Sequence, residues 1–346
     1  MKRESIILII IGYLLNLQIA RAQQEADNWL FGWGAWGQFS TGEPLVSIYG
    51  MGMSAIYGST SLSDSLGNLL FYSNGQELYN RNHQLMPNGA GLMAASYATN
   101  PCVAFPMPGG RNKYYFFTIG GTSGYPAQLR AGSEYSVIDM ELDGGYGDIV
   151  PGKLNIPLIA ADSVYECLQA VKHGSRDAYW VIMRNHRQPN KMMAFLVDET
   201  GVNQTPVVSP CDLNFIYGGN QGEIMKASAD GKYILYADRN GTGGNLQLAE
   251  LYSFNNITGV VNSVLVFNTH STINTGAEFS ANSDLLYMSQ GHSLPAYDGN
   301  ERWICQYDLS KINNLNQFEN QTYKIALDTN VFPYGNLLLA NNGRFC

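Results

Sequence analysis

The chain reads as an all-β protein, a β-propeller of about six or seven four-stranded blades whose last blade is left incomplete. Three observations predict this. A strand, tight-turn, strand unit recurs about every fifty to sixty residues along the 346-residue sequence. The composition combines 37 Gly and 22 Tyr with only 14% charged residues, a balance that suits turn-rich sheets with aromatic strands better than helices. No window of ten or more residues carries an apolar stripe at helical spacing, which removes α/β barrels and helical solenoids.

In chain order, the recurring units are STSLSDSLGNLLFYSNG, CVAFPMPGGRNKYYFFTIGG, CLQAVKHGSRDAYWVIMRN, IMKASADGKYILYADRN, AEFSANSDLLYMSQG and LLLANNGRFC. Their turns fall near residues 66, 110, 175, 231, 283 and 342. Asp230-Gly231 and Asn342-Gly343 read as two-residue type I′ hairpin loops, because Asn, Asp and Gly tolerate positive φ. A second, more variable pair of strand-like runs follows each unit but the last, for instance SEYSVIDMELDG and LAELYSFNNITGVV, and four strands per unit is the count of a propeller blade. A tandem of β-sandwiches is the main competitor, but it predicts units near a hundred residues with no hairpin repeating at half that interval. The segment NWLFGWGAWGQFSTGEPLVSIYG from Asn28 reads as one strand pair without a tight hairpin before it, and the sixth hairpin stops at Phe345-Cys346 without an outer pair. A ring closed by N-terminal strands entering the last blade accounts for both halves. A stop inside a strand is also what a truncated reading frame produces.

Residues 1–22 read as a secretory signal: Lys2 and Arg3, the apolar run Ile6 to Leu15, then Ala20-Arg21-Ala22, with the mature propeller at 23–346 beginning on Gln23. Gln23 stands where a lipid-anchored protein carries Cys. The apolar run has about ten residues, against roughly twenty needed to span a bilayer, so the expected product is exported, extracellular or cell-surface, with no transmembrane segment. Processing removes Lys2, Arg3, Arg21 and Glu4 and takes the net charge from −8 to about −10, which disfavours a nucleic-acid partner.

The five cysteines, Cys102, Cys167, Cys211, Cys305 and Cys346, show no CxxC spacing. Cys102 and Cys167 each lie thirteen residues before an aromatic residue of the next strand, Tyr115 and Trp180, and so occupy matching places in successive repeats. They read as small buried residues of inner strands. A disulfide between them is the alternative that export permits.

The strings WLFGWGAWGQFSTGEP, SLSDSLGNLLFYSNG and YNRNHQLMPNGAGLM, continued by KYYFFTIG, YSVIDMELDGGYGDIV, LQAVKHGSRDAYWVIMRN, IMKASADGKYILYA and AEFSANSDLLYMS, resemble the N-terminal propeller of gliding-motility-associated, type IX-secreted surface proteins of gliding bacteria. The likeness covers nearly the whole mature chain, and NRNHQLMPNG is its most specific part. It implies an exported or surface-attached protein linked to gliding motility. In that family, immunoglobulin-like modules and a C-terminal sorting domain commonly follow the propeller, and neither is in this sequence. Within the specific string, Arg81, Asn82 and His83 read as a third strand or its turn, with Asn82 and Asn88 suited to turns and Pro87 ending the strand.

Catalytic signatures are sparse. The five histidines, His83, His173, His186, His270 and His292, make no HExxH or other zinc spacing, and no GxSxG elbow occurs. The Asp143, Asp148 and Asp162 region does not have EF-hand spacing. GGYGD and GGTSG have no helix behind them and read as turns rather than phosphate sites. The turns at Ser61–Gly67 and Ser228–Gly231 are similar to the aspartate boxes of sialidase propellers, without their Trp. No cofactor, metal site or catalytic residue is assigned. Candidate ligand residues come from blade geometry, since loops joining second to third strands share a face with the loops between blades. They are Asn74, Gln76, Arg184, Asn185, His186, Asp238, Arg239 and His292. Arg184 and Arg239 follow their turns at similar intervals, which places both on one rim suited to a glycan carboxylate. The expectation is a non-enzymatic binding or adhesion scaffold for glycan or protein partners. A carbohydrate-active hydrolase or lyase, and a purely structural head of a larger adhesin, are the alternatives.

Overall fold

The computed structural model describes residues 27–32, 35–38, 45–47, 52–55, 58–95, 98–120, 132–160, 164–185, 188, 190–212, 223–237, 248–269, 273–291, 302–320 and 323–328. Within them the chain forms six antiparallel sheets, as expected of a propeller. The first has three strands, β1 (Asn28–Phe31), β2 (Ala35–Gln38) and β3 (Leu45–Ser47), where the sequence suggested a pair. Blade one is β4 (Thr60–Ser63), β5 (Leu69–Ser73), β6 (Glu77–Asn80) and β7 (Leu85–Ala90). Blade two is β8 (Cys102–Pro106), β9 (Lys113–Ile119) and β10 (Ser133–Asp139), with β11 (Asp148–Ile149) and β12 (Ile156–Ile159) both pairing with β10. Blade three is β13 (Val164–Lys172), β14 (Tyr179–Asn185) and β15 (Lys191–Asp198), with β16 (Gly201–Val202) and β17 (Val207–Pro210) both on β15. Blade four is β18 (Ile224–Ala227), β19 (Tyr233–Ala237), β20 (Leu248–Asn255) and β21 (Val260–Asn268), and blade five is β22 (Ile273–Phe279), β23 (Leu285–Gly291), β24 (Arg302–Asp308) and β25 (Tyr323–Asp328). The signal segment and the sixth hairpin, with the question of ring closure, lie outside the described residues.

Alternation of side chains along each strand makes every blade apolar on both faces, so the core is divided among the seams between sheets. Along β20, Ala249 and Leu251 pack toward blade five with Leu286 and Phe279, while Tyr252 and Phe254 pack toward blade three with Trp180 and Ile182. The same division recurs at the other seams: Phe117 and Val181 between blades two and three, Phe71 and Phe116 between one and two, Leu30 and Tyr72 between the first sheet and blade one. One short helix, α1 (Leu315–Asn320), inserts Phe318 against Phe267 and Tyr307 beside blade five. Among the described residues no helix is long and apolar enough to cross a membrane.

The hairpins joining first to second strands fall where the sequence placed five of them, but with a wider loop than a two-residue turn. At Ser228–Lys232 the Ser228 hydroxyl accepts from the amides of Lys232 (3.1 Å) and Tyr233 (2.9 Å), and the Gly231 amide donates to the Ser228 carbonyl (2.9 Å). Only Gly231 takes positive φ (66°), so Asp230-Gly231 is not a type I′ loop: the serine holds the chain open. Blade five repeats the geometry, with Ser280 in the place of Ser228 and Ser283 (φ 60°) in the place of Gly231.

A second repeat lies at the other end of each third strand. The last residue of that strand is Asn80, Asp139, Asp198, Asn255 and Asp308 in blades one to five, and its Oδ1 accepts the backbone amide two residues on. An Asx turn therefore starts the return to the outer strand in all five blades. Both kinds of turn lie on one face, because successive strands alternate in direction. On that face the blades are tied to each other: the Gly109 amide donates to Asp177 (3.1 Å), Gly174 to the Asn256 carbonyl (3.1 Å), and Asp230 to Ser283 Oγ (3.2 Å).

Candidate functional site

The opposite face carries the loops from second to third strands and from blade to blade. Beneath it lies a buried layer formed by the penultimate residue of each second strand: Tyr72, Thr118, Arg184, Tyr236 and Gln290, all buried. Of the sequence-derived candidates, Asn74, Gln76, Arg184 and Asn185 are described, whereas His186, Asp238, Arg239 and His292 lie outside the described residues.

Arg184 is not on a rim. Its side chain is 0% exposed, on the face of β14 that packs against blade four. Its guanidinium lies 4.4 Å over the Tyr236 ring and 6.0 Å from that of Tyr165. Burial, the largest influence, opposes its charge, yet Tyr236, Tyr252, Cys211 and Glu250 around it hold its pKa above the ordinary arginine range. Glu250, also fully buried, accepts from the Asp212 amide (3.0 Å) and from the Tyr252 hydroxyl (2.6 Å). A charge in such a place is stabilised by what surrounds it, so Arg184 is a structural residue of the seam between blades three and four and does not reach a ligand at the surface. Asn185 closes a local turn, accepting from the Gln188 amide at 2.8 Å.

Asn74 and Gln76 are brought together in a cleft of about 600 Å³ beside blade one. Its walls are the segment Gly52–Ala55 with Gly58, the tight loop Asn74–Glu77, and the end of β7 with Gly91 and Leu92. Three residues suffice for that loop because its side chains close it. Ser73 Oγ accepts from Gly75 and donates to the Glu77 carbonyl, and Asn74 Oδ1 accepts from the amides of Gln76 and Glu77, all within 3.0 Å. Gly75 is required there, with φ 87° and a would-be Cβ at 2.4 Å from that of Ala94. Asn74 Nδ2 reaches across to the Ser54 carbonyl (3.0 Å) and fixes the opposite wall. Asn74 thus shapes the cleft, and its amide is spent on the protein.

The functional group the sequence reading missed is Glu77. It is half-buried in the wall and accepts from the Tyr79 hydroxyl at 2.8 Å, while the same hydroxyl lies 3.0 Å from the Gly52 carbonyl. One phenolic proton serves two acceptors, so the carboxylate keeps unused acceptor capacity. Burial and the neighbouring carboxylate push the Tyr79 pKa up to about 12, so the ring stays a donor. No Lys, Arg or His lines the cleft. The signal was present in the sequence: Glu-Leu-Tyr occurs twice, at 77–79 and 250–252, at the starts of two third strands.

The family-like string is structural. Arg81–Gln84 form the turn between β6 and β7, and Arg81 donates to the Gly145 carbonyl and lies 5.6 Å over the Tyr146 ring of blade two. His83 takes φ 62° against Tyr72 and Trp36, and desolvation lowers its pKa. Pro87 does not end its strand: it sits inside β7, an outer strand, where a missing amide is tolerated. Asn88, placed in a turn by the sequence, also lies within β7 and bridges to blade two, its amide and Nδ2 donating to the two oxygens of Asp148 at 2.9 and 2.6 Å. Cys102 and Cys167 are free, buried thiols whose pKa burial raises, so the disulfide alternative does not hold.

Comparison with known proteins gives folds and no family. No family model matches the chain, and no curated protein matches it. Among solved structures the chain is similar to Kluyveromyces lactis Hsv2 at 8% identity and a TM-score of 0.43, over 91% of this chain and 84% of that one. It is similar also to two structures assigned as 6-phosphogluconolactonases, from Bacteroides uniformis (10% identity, TM-score 0.39, 79% and 81% covered) and Bacteroides fragilis (12%, 0.34, 79% and 80%). The propeller assignment rests on the sheets themselves.

Proposed function

We propose that this protein is an exported or surface-attached β-propeller that binds glycan or protein partners on its loop-bearing face, without chemistry of its own. The observation that carries the proposal is the asymmetry of the two faces. Turns from first to second strands span five or six residues and are tied blade to blade, whereas loops from second to third strands run as far as 120–132, 238–247 and 292–301. Variable loops on a rigid scaffold are the usual place for recognition. The expected signal segment and the resemblance to gliding-motility surface proteins support an extracellular role and adhesion. The described cleft adds amides, one carboxylate and backbone, a set suited to binding.

The test applies the whole mature chain to a glycan array and to cell-envelope fractions, with a parallel screen for product release from neutral and acidic polysaccharides. Saturable binding without turnover is expected. Turnover would replace this reading with that of a carbohydrate-active enzyme, and no binding to any surface would leave a structural head.

A further inference from the structure

We infer that the cleft beside blade one is a subsite for a neutral saccharide, held through its hydroxyl groups by Glu77, and that it rejects acidic sugars. This rests on the binding reading above and names the ligand chemistry at one place on that face.

Three observations carry the inference. The cleft's volume, about 600 Å³, lies in the usual range for small-ligand sites, roughly 300–1,000 Å³, so a short oligosaccharide end fits. Its single charged group is Glu77, whose side chain is engaged among the described residues only by the shared Tyr79 hydroxyl. A carboxylate with free lone pairs accepts from neighbouring hydroxyls of one sugar ring through charge-assisted hydrogen bonds. Finally, the walls are otherwise small or amide-bearing: Gly52, Ser54, Ala55, Gln76, Ala90 and Gly91, which let a ring approach the backbone closely. An anionic ligand would meet Glu77 at short range with no cation in the lining to offset it, in a chain of net charge −8. The rim arginine that favoured an acidic glycan in the sequence, Arg184, is buried elsewhere.

The experiment is titration of the mature chain with maltotriose, mannotriose and trigalacturonate as probes, comparing wild type with Glu77→Gln and Ala90→Trp. Ala90 is exposed at the end of β7, so its tryptophan fills the cleft without entering the core. At least one neutral trisaccharide is expected to bind and trigalacturonate not to. Glu77→Gln is expected to weaken binding by roughly tenfold or more, the loss of a charge-assisted hydrogen bond, and Ala90→Trp to abolish it. Preference for trigalacturonate, absence of neutral binding, or neutral binding unchanged in both folded variants would overturn the inference. Where the variants still bind cell envelope as wild type does, the cleft proposal fails alone. Where wild type binds neither sugar nor envelope, the broader reading fails with it.

Discussion

The tripeptide Glu-Leu-Tyr begins a third strand in both blade one and blade four, and its two copies end in opposite environments. Leu78 and Leu251 are equally buried and each packs forward, toward the next blade. The glutamate and tyrosine face backward, and there the copies part. Behind Glu250 stands blade three, complete, with Arg184 in its wall; behind Glu77 stand the three-stranded first sheet and the segment Gly52–Ala55, which leave a cleft. Register adds to this. β19 continues to Tyr236 and Ala237 opposite Glu250 and Ala249, whereas β5 pairs no further than Ser73 with Leu78 and then turns, so Glu77 is left at the mouth. Identical local sequence thus gives a buried structural carboxylate in one blade and an available one in the other, and the neighbour decides which.

Removing the cation of the buried copy is expected to have the largest effect. Arg184→Ala leaves carboxylate and hydroxyl groups in a sealed seam and is expected to cost about 3–5 kcal/mol, measured by urea denaturation. Next, Glu250→Leu strands the Asp212 amide and the Tyr252 hydroxyl and is expected to cost about 2–4 kcal/mol, against less than about 1 kcal/mol for Glu77→Leu. Equal losses at the two sites would break the comparison.

Acid separates the two faces. Asp64, Asp139, Asp198, Asp230 and Asp308 all lie on the turn face, and all have folded-state pKa values below the ordinary aspartate value. Thr200 holds Asp198 down and Ser310 holds Asp308 down, while at Asp64, Asp139 and Asp230 hydrogen bonds overcome the opposing effect of burial. A depressed pKa contributes stability that is present above the unfolded value, about 3.9, and lost as pH falls through the folded values. Glu134 beneath the loop face works in the opposite sense, because burial raises its pKa and protonation relieves it. Hydrogen exchange followed from pH 6 to pH 3 is therefore expected to rise first in the turns after first and third strands. The smallest effect tests what the two copies share: Asn80→Ala and Asn255→Ala each remove an Asx turn and are expected to cost about 1 kcal/mol alike in thermal melts.

The repeat period, the five hairpin positions and the antiparallel order were legible because turn residues and aromatic strands are local signals. The Asx turns were legible too, as Asn or Asp closing each third strand, but the eye is drawn to glycine, and that repeat carries none of its own. The site was not legible. Arg184 in a loop-proximal position looks like a rim residue, and only the depth of the seam places it inside. Glu77 looks like any strand-edge carboxylate until the short first sheet opens a cleft behind it. Such properties belong to pairs of sheets, and periodicity within one strand does not encode them.

One contact skips a blade. The entrance to blade two, at Thr99 and Asn100, passes Cys167 of blade three and donates to the carbonyls of Glu223 and, at 3.1 Å, Met225 in blade four. Repeat arrays held only by adjacent units gain stability increment by increment and unravel from their ends. Here blade two is secured only once a segment some 125 residues downstream has arrived. At roughly 5–20 residues per second of synthesis, that wait is on the order of 10 s, during which blade two is held by its immediate neighbours alone. The stitch raises contact order and slows folding, and it binds blades two, three and four into one cooperative unit.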